Sequence, residues 1–292
     1  MNKQIQTIAV ILSLLSTGLM IYMNASSYAR FFSNFSDYFS LRNMIGLLPQ
    51  LLMMMLVLFE LVLGVMALAT TGPRQDWAYK ILRYLTVMIF IMYLPITFFV
   101  FMANSSAFAM ASTSTMIMLY ASRILTLAAV VLFLMARPQS QPPAIDLAEY
   151  ELVSYTSTGH RFVHYLVDTI FVLPVFLTTY ALIVQFYSEH FLLMQLVFLL
   201  CYFMYSFLSE WIFGQTLGKM MTRSCVAGIG YKPTAGRILI RSFGRWIPFD
   251  PLSFLMGRNW HDTTTSTTVV YVDSWEKAFN EADHDREDWL TA

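Results

Sequence analysis

Charged residues are scarce in this chain. Of its 292 residues only 12% are Asp, Glu, Lys or Arg, and 57% are hydrophobic, whereas a soluble domain has about a quarter charged residues. Lys and Arg balance Asp and Glu, so the formal net charge is zero and the composition gives no indication of nucleic-acid binding. We therefore expect an integral membrane protein whose main partner is the lipid bilayer, with no nucleic-acid partner.

Cysteine and the common catalytic motifs are also nearly absent. The two cysteines, Cys201 and Cys225, are too few for a disulfide framework. His160 and His164 are four residues apart, but no third ligand lies near them in sequence, so we expect no metal site. There is no GxSxG, HExxH or P-loop pattern. The sequence therefore predicts no catalytic residue and no cofactor, and we expect the protein not to be an enzyme.

Long apolar runs dominate what is present. A helix needs about 20 apolar residues to cross a bilayer, and six runs are near that length: Ile5–Met23, Ile45–Ala69, Ile81–Ala103, Thr113–Ala136, Phe162–Phe186 and Phe191–Gly214. The first run exceeds the roughly 7–15 apolar residues of a signal peptide, so we interpret it as a retained helix. The fold class predicted is an all-α polytopic membrane protein with about six transmembrane helices.

A seventh segment, residues 237–257, does not fit a simple span. Arg237, Arg241 and Arg245 recur every four residues and give a helix one basic face. The uncharged stretch before Pro251 is too short to cross the bilayer. We predict an interfacial helix followed by a re-entrant piece, with the three arginines facing anionic lipid headgroups.

Lys and Arg in the short loops predict the orientation. The loops at residues 104–112 and 187–190 have no Lys or Arg, whereas the loops on the other side contain several basic residues: Arg74, Lys80, Arg137, Arg161, Lys219, Arg223 and Lys232. Arg30 and Arg42, in the first loop on the side of residues 104–112, are exceptions to this pattern. The basic loops should be cytoplasmic, which places both termini in the cytoplasm.

The C-terminal half is richer in motifs than the N-terminal half. A Pro-rich stretch predicts a cytoplasmic linker over residues 137–158, between a four-helix region over 1–136 and a second domain over 159–272. An acidic cytoplasmic tail over 273–292 follows. The β-branched runs "SCVAGIG" and "TTVVYV" predict a small cytoplasmic β-hairpin, and Thr234 is a candidate N-cap for the basic helix.

Ionisable residues inside the apolar runs need partners. Arg161 and Asp168 lie about two helical turns apart, which is too far to pair along one helix. Asp168 therefore needs a cation of the basic segment, or water, and Glu210 is expected at a similar depth. Two neighbouring carboxylates suggest protons or cations, whereas binding of each to an arginine suggests a structural role. Both alternatives stay open.

Glu60 and Arg123 form a second candidate pair. Both lie near the middle of their apolar runs, at depths that differ by roughly 7 Å on helices of the same direction. We predict an intramembrane ion pair, with either a structural or a substrate-conducting role.

Three motifs of the C-terminal half resemble the RDD family, which is named for one Arg and two Asp. They are "RFVHYLVD", "SEWIFGQTLGKMMTRSCVAGIGYKPTAGRILIR" and "HDTTTSTTVV". The resemblance covers about residues 159–272 and makes Arg161, Asp168 and Asp262 the family residues. It implies a bacterial inner-membrane protein of a family whose biochemical activity is mostly undefined, although transport, including cation/proton exchange by some members, has been proposed for it. The four extra helices and the threonine run after His261 depart from the family pattern.

The resemblance also implies one charge network. Arg161 and Asp168 would be joined by Asp262, Glu210 and Lys219. Arg161 would pair with Asp262, and Asp168 with Arg241 or Arg245.

The sequence features leave two candidate functions. One is an ion- or proton-coupled permeation protein that uses these groups together with Glu60 and Arg123. The other is a non-transporting module for inner-leaflet lipid contact or for assembly with a second copy or another membrane protein.

Overall fold

The computed structural model describes residues 3–33, 41–103, 113–136, 154–186, 191–228, 233–245 and 265–273. The helices, numbered along the chain, are α1 Lys3–Ser33, α2 Leu41–Ala69, α3 Pro73–Ala103, α4 Thr113–Met135, α5 Thr158–Phe186, α6 Phe191–Phe213, α7 Leu217–Met221 and α8 Ala235–Gly244. The strands are β1 Ser224–Gly228 and β2 Thr267–Tyr271.

The predicted all-α membrane architecture is confirmed. Five helices contain segments long and apolar enough to span a bilayer, namely Lys3–Ala25, Leu51–Ala69, Pro73–Leu94, Thr158–Leu177 and Gln195–Phe213, and α4 contributes the shorter apolar stretch Tyr120–Met135. Helix α3 begins before its apolar run, because Pro73 suits a first helical position and Asp76 lies in the first turn.

The chain divides into two compact units. The N-terminal unit comprises residues 1–138 and 173–197, and the C-terminal unit comprises residues 139–172 and 198–292. Helices α5 and α6 each contribute one end to each unit.

In the N-terminal unit, α1 and α3 each pack against both α2 and α4, which closes a four-helix bundle. Leu63, Tyr84, Leu85 and Phe133 are fully buried in it. A Cβ at Gly64 would lie 2.5 Å from a side-chain carbon of Leu14, so the glycine allows close contact between α2 and α1, as small residues do in membrane bundles.

The C-terminal unit contains a small antiparallel sheet. Strands β1 and β2 pair from Ser224 opposite Tyr271 to Gly228 opposite Thr267, which confirms the predicted pairing. They are not joined by a tight turn, because α8 lies between them in sequence. The chain before α5 adds to the other edge of β2, where the Thr156 N–H donates to the Val269 carbonyl at 3.1 Å.

Thr234 is the N-cap of α8, as predicted, and its side chain accepts a hydrogen bond from the Arg237 N–H at 3.5 Å. Several predictions lie outside the described residues. They concern most of the linker over 137–153, the re-entrant piece within 246–257, and the acidic tail beyond residue 273.

Candidate functional site: a buried charge cluster

Glu210, near the end of α6, binds three cations at once. Its carboxylate accepts hydrogen bonds from the Lys219 ammonium, from Arg241 Nε at 3.1 Å and from Arg245 Nη2 at 2.5 Å. Glu210 and Arg241 side chains are fully buried, and those of Lys219 and Arg245 are 3% and 11% exposed. These four residues are called the charge cluster below.

Local structure brings the charge cluster together. Gly214, with φ of 70°, ends α6 in the left-handed region that glycine adopts easily, and the chain returns through α7 with Lys219. Arg241 and Arg245 are four residues apart, so they lie on one face of the α8 segment. Arg241 also donates through Nη1 to Thr267 Oγ1 at 2.7 Å, which ties the charge cluster to β2.

The charge cluster has three cations for one carboxylate, and this imbalance affects Lys219. Burial lowers the pKa of Lys219 to about 8, although Glu210 opposes the change, and the two neighbouring arginines lower it further. Burial also acts against the charge of Arg245, but contact with Glu210 outweighs it and raises the pKa of Arg245.

Asp168 lies on α5, is 3% exposed, and binds neutral donors instead of arginine. Its Oδ1 accepts from the Tyr205 hydroxyl at 2.7 Å and from the Gly218 N–H at 2.9 Å. The Tyr205 hydroxyl in turn accepts from the Leu217 N–H at 3.1 Å. A carboxylate and a phenol from two long helices thus satisfy the first N–H groups of α7. The predicted pairing of Asp168 with Arg241 or Arg245 is wrong, because both arginines bind Glu210.

His164 packs directly against the same turn. A Cβ at Gly218 would lie 2.6 Å from the His164 Cα and 2.6 Å from its carbonyl oxygen. His164 Nε2 lies 2.5 Å from Thr222 Oγ1 and 2.9 Å from Ser224 Oγ, so the ring is held by two hydroxyl groups.

The sequence model of the RDD family matches residues 155–289. The C-terminal part of this chain is therefore an RDD-family domain. The predicted resemblance is confirmed, and the match contains Arg161, Asp168 and the whole charge cluster. No curated protein and no solved structure matches the chain.

Of the three RDD residues, two are described. Arg161 is half-buried at the start of α5, and its Nε donates to the Thr156 carbonyl at 3.4 Å. Asp262 lies outside the described residues, so its pairing with Arg161 stays a prediction.

At the start of the RDD domain, His160 Nδ1 lies 2.8 Å from the Tyr271 hydroxyl. No group of residues suited to a metal ion occurs in the described part of the chain.

The predicted headgroup face of α8 is only partly correct. Arg237 is exposed, but Arg241 is fully buried and the Arg245 side chain is 11% exposed. The four-residue spacing correctly placed Arg241 and Arg245 together, yet they face a buried carboxylate instead of lipid headgroups.

Glu60 and Arg123, in the four-helix bundle, do not form the predicted ion pair. Glu60 accepts hydrogen bonds from Thr17 and Thr86, both at 3.4 Å. Arg123 makes no ion pair with any carboxylate that the structure describes. Both side chains instead line one cavity of about 50 Å³, whose walls also carry several hydroxyl groups.

The sequence interpretation missed the neutral partners of the RDD domain. Tyr205 and Gly218 donate hydrogen bonds to Asp168 Oδ1. The available signal was a tight turn, "FGQTLGK", whose glycines mark a place where a helix N-terminus can approach another helix closely.

Proposed function

We propose that this integral membrane protein moves an ion or a proton across the bilayer, and that Glu60 and Arg123 are ionisable groups on its path. The observation that carries the proposal is the cavity of about 50 Å³ in the four-helix bundle, which both side chains line. Ionisable residues inside membrane helices are rare, and they commonly face one another or a water-filled pathway.

The cavity is polar enough to hold water. Ser13, Thr17 and Thr86 are buried hydroxyl residues on its wall, and a buried water needs roughly 10–15 Å³ of such space with two to four polar partners. The volume therefore suits about three to five waters. Water beside a carboxylate and a guanidinium lets their charges exist within an apolar bundle and gives a permeating species polar contacts.

The charge cluster of the RDD domain has a different role in this proposal. Its carboxylate is fully buried and in contact with three cations. Breaking such a buried network leaves costly unpaired charges. We therefore assign the charge cluster and Asp168 to holding α5, α6, α7 and α8 in place, and the ion-handling step to the four-helix bundle.

Ion flux into liposomes tests the proposal. Purified protein is reconstituted with internal dyes that report pH and chloride, and gradients of protons and of inorganic salts are imposed in turn. We expect faster dissipation than in empty liposomes, and a loss of at least about tenfold for Glu60→Gln, the effect of about 1.4 kcal/mol on a barrier. Asp76→Asn, an exposed change at the start of α3, should keep the wild-type rate.

Two outcomes refute the proposal. Wild-type flux equal to that of empty liposomes under every gradient removes the transport activity. Full flux in Glu60→Gln removes the assignment of the pathway to this carboxylate.

A second candidate function is lipid contact through α8. Ile240 and Phe243 are 53% and 48% exposed, and the exposed Arg237 lies on the same short helix, as in helices that lie at an interface. Arg237→Ala should lower the ratio of anionic to neutral lipid that co-purifies with the protein. Arg74→Ala, at another exposed arginine, is the matched control.

A further inference from the structure

Arg123 is an unusual wall residue for a membrane bundle. It lies on α4, is half-buried, and lines the cavity without an ion pair to any described carboxylate. A guanidinium presents five N–H donors and no acceptor. Whatever occupies the cavity therefore meets a permanent cation with donors to satisfy.

The hydroxyl groups of the cavity already have acceptors for their protons. Thr17 and Thr86 donate to Glu60, and the Tyr93 hydroxyl donates to Met53 Sδ at 2.8 Å. Thr126 donates to the Ser122 carbonyl at 2.9 Å. The strongest donor for an occupant is therefore Arg123, which favours an occupant that accepts hydrogen bonds.

The volume limits the occupant more sharply. A cavity of 150 Å³ holds a molecule of about benzene size, and this one has about 50 Å³. It has no room for a sugar, an amino acid or a drug-sized solute. A monatomic ion with one or two waters fits, and so does a small water cluster.

We propose that the cavity binds one small inorganic anion, of about the size of chloride, at the Arg123 guanidinium. The anion would accept hydrogen bonds from the Arg123 guanidinium and balance its positive charge. No described carboxylate does this. The inference rests on the proposed function, because it names the class of ion that the four-helix bundle handles.

Glu60 opposes this anion from the same cavity. Glu60 is 9% exposed, and like charges repel more strongly in the protein interior than in bulk water. Removing the Glu60 charge should therefore tighten anion binding, whereas removing the Arg123 charge should abolish it. A site elsewhere on the protein would not respond to the two changes in opposite directions.

Binding is measured without any gradient, in detergent. The melting temperature of the full chain is followed as sodium gluconate is replaced by sodium chloride at constant ionic strength, and chloride magnetic-resonance line widths report binding directly. Gluconate is too large for the cavity. Raising chloride to about ten times its Kd should raise the melting temperature by about 3 °C or more.

Three variants decide the outcome. Arg123→Gln should lose the chloride effect, Glu60→Gln should bind chloride about tenfold more tightly, and Arg74→Gln, an exposed arginine outside the cavity, should behave as wild type. Equal wild-type melting in chloride and gluconate overturns the inference, and so does an unchanged chloride effect in Arg123→Gln. Where Arg123→Gln does not fold, unchanged chloride affinity in Glu60→Gln overturns it.

The two proposals fail separately. Flux without chloride binding refutes the anion site and leaves the proposed transport standing. Chloride binding without flux refutes the transport and leaves the anion site.

Discussion

Replacing Glu210 with glutamine tests whether the charge cluster holds the RDD domain together. Glutamine keeps the size of the side chain and removes its charge. The side chains of Lys219, Arg241 and Arg245 are 3%, 0% and 11% exposed, so in the variant they would lie in the interior without their shared counter-charge. Arg241 and Arg245 cannot become neutral by losing a proton, because arginine stays protonated in proteins.

The expected loss is large. Breaking one buried ion pair by removing one partner costs about 3–5 kcal/mol. Here one carboxylate serves three cations, so a loss of at least about 5 kcal/mol is expected, against a total of about 5–15 kcal/mol for a typical domain. At about 3 °C per kcal/mol, the melting temperature should fall by about 15 °C, or the protein should not be recovered folded.

The assay is thermal unfolding in detergent, followed by the fraction of protein that remains monodisperse in size-exclusion chromatography. Asp273→Asn is the matched control, because it makes the same chemical change in an exposed ion pair, 3.4 Å from Arg223, and exposed pairs contribute little. A Glu210→Gln protein that melts within about 2 °C of wild type would contradict the argument, since a buried carboxylate bound by three cations cannot be lost at no cost.

Three further changes test other parts of the RDD domain by the same melting assay. Gly218→Ala should destabilise the protein, because its Cβ would lie 2.6 Å from backbone atoms of α5, whereas Gly236→Ala adds a Cβ in open space and should not. Tyr205→Phe should cost about 1–3 kcal/mol, because it leaves the buried Leu217 N–H without its acceptor. The third change concerns pH. Burial lowers the pKa of Lys219 from 10.5 to about 8, so the unfolded chain holds this proton more tightly. The wild type should therefore gain stability relative to Lys219→Met as pH rises from about 8 to about 10, and a constant difference between the two proteins would contradict this.

The helices and strands were predictable from the sequence because their signals are local. Twenty consecutive apolar residues specify a membrane helix wherever they occur, and β-branched runs such as that ending at Tyr271 favour a strand. Thr234 was identified as an N-cap because a side-chain oxygen before a helix has a defined local acceptor role. None of these inferences required knowledge of the partner segment.

The pairing of charges was less predictable because it depends on which groups meet in space. Counting charges suggested an arginine for Asp168, but a backbone N–H at Gly218 and the Tyr205 hydroxyl satisfy it instead. Such neutral donors do not register in a count of charges. The spacing of Arg241 and Arg245 correctly indicated a shared face, and only the fold shows that this face meets Glu210.

The two units keep ionisable groups in an apolar setting by different means, and the difference bears on function. In the RDD domain, Glu210 is in direct contact with its three cations, so a change of partner would leave charge uncompensated in the interior. In the four-helix bundle, Glu60 and Arg123 both line one cavity, so an ion or water can enter or leave beside them. A site that handles ions must be able to exchange its partners. A structural charge cluster must instead keep the same partners. Glu60 variants should therefore change ion flux with little loss of stability, and Glu210 variants should lose the fold itself.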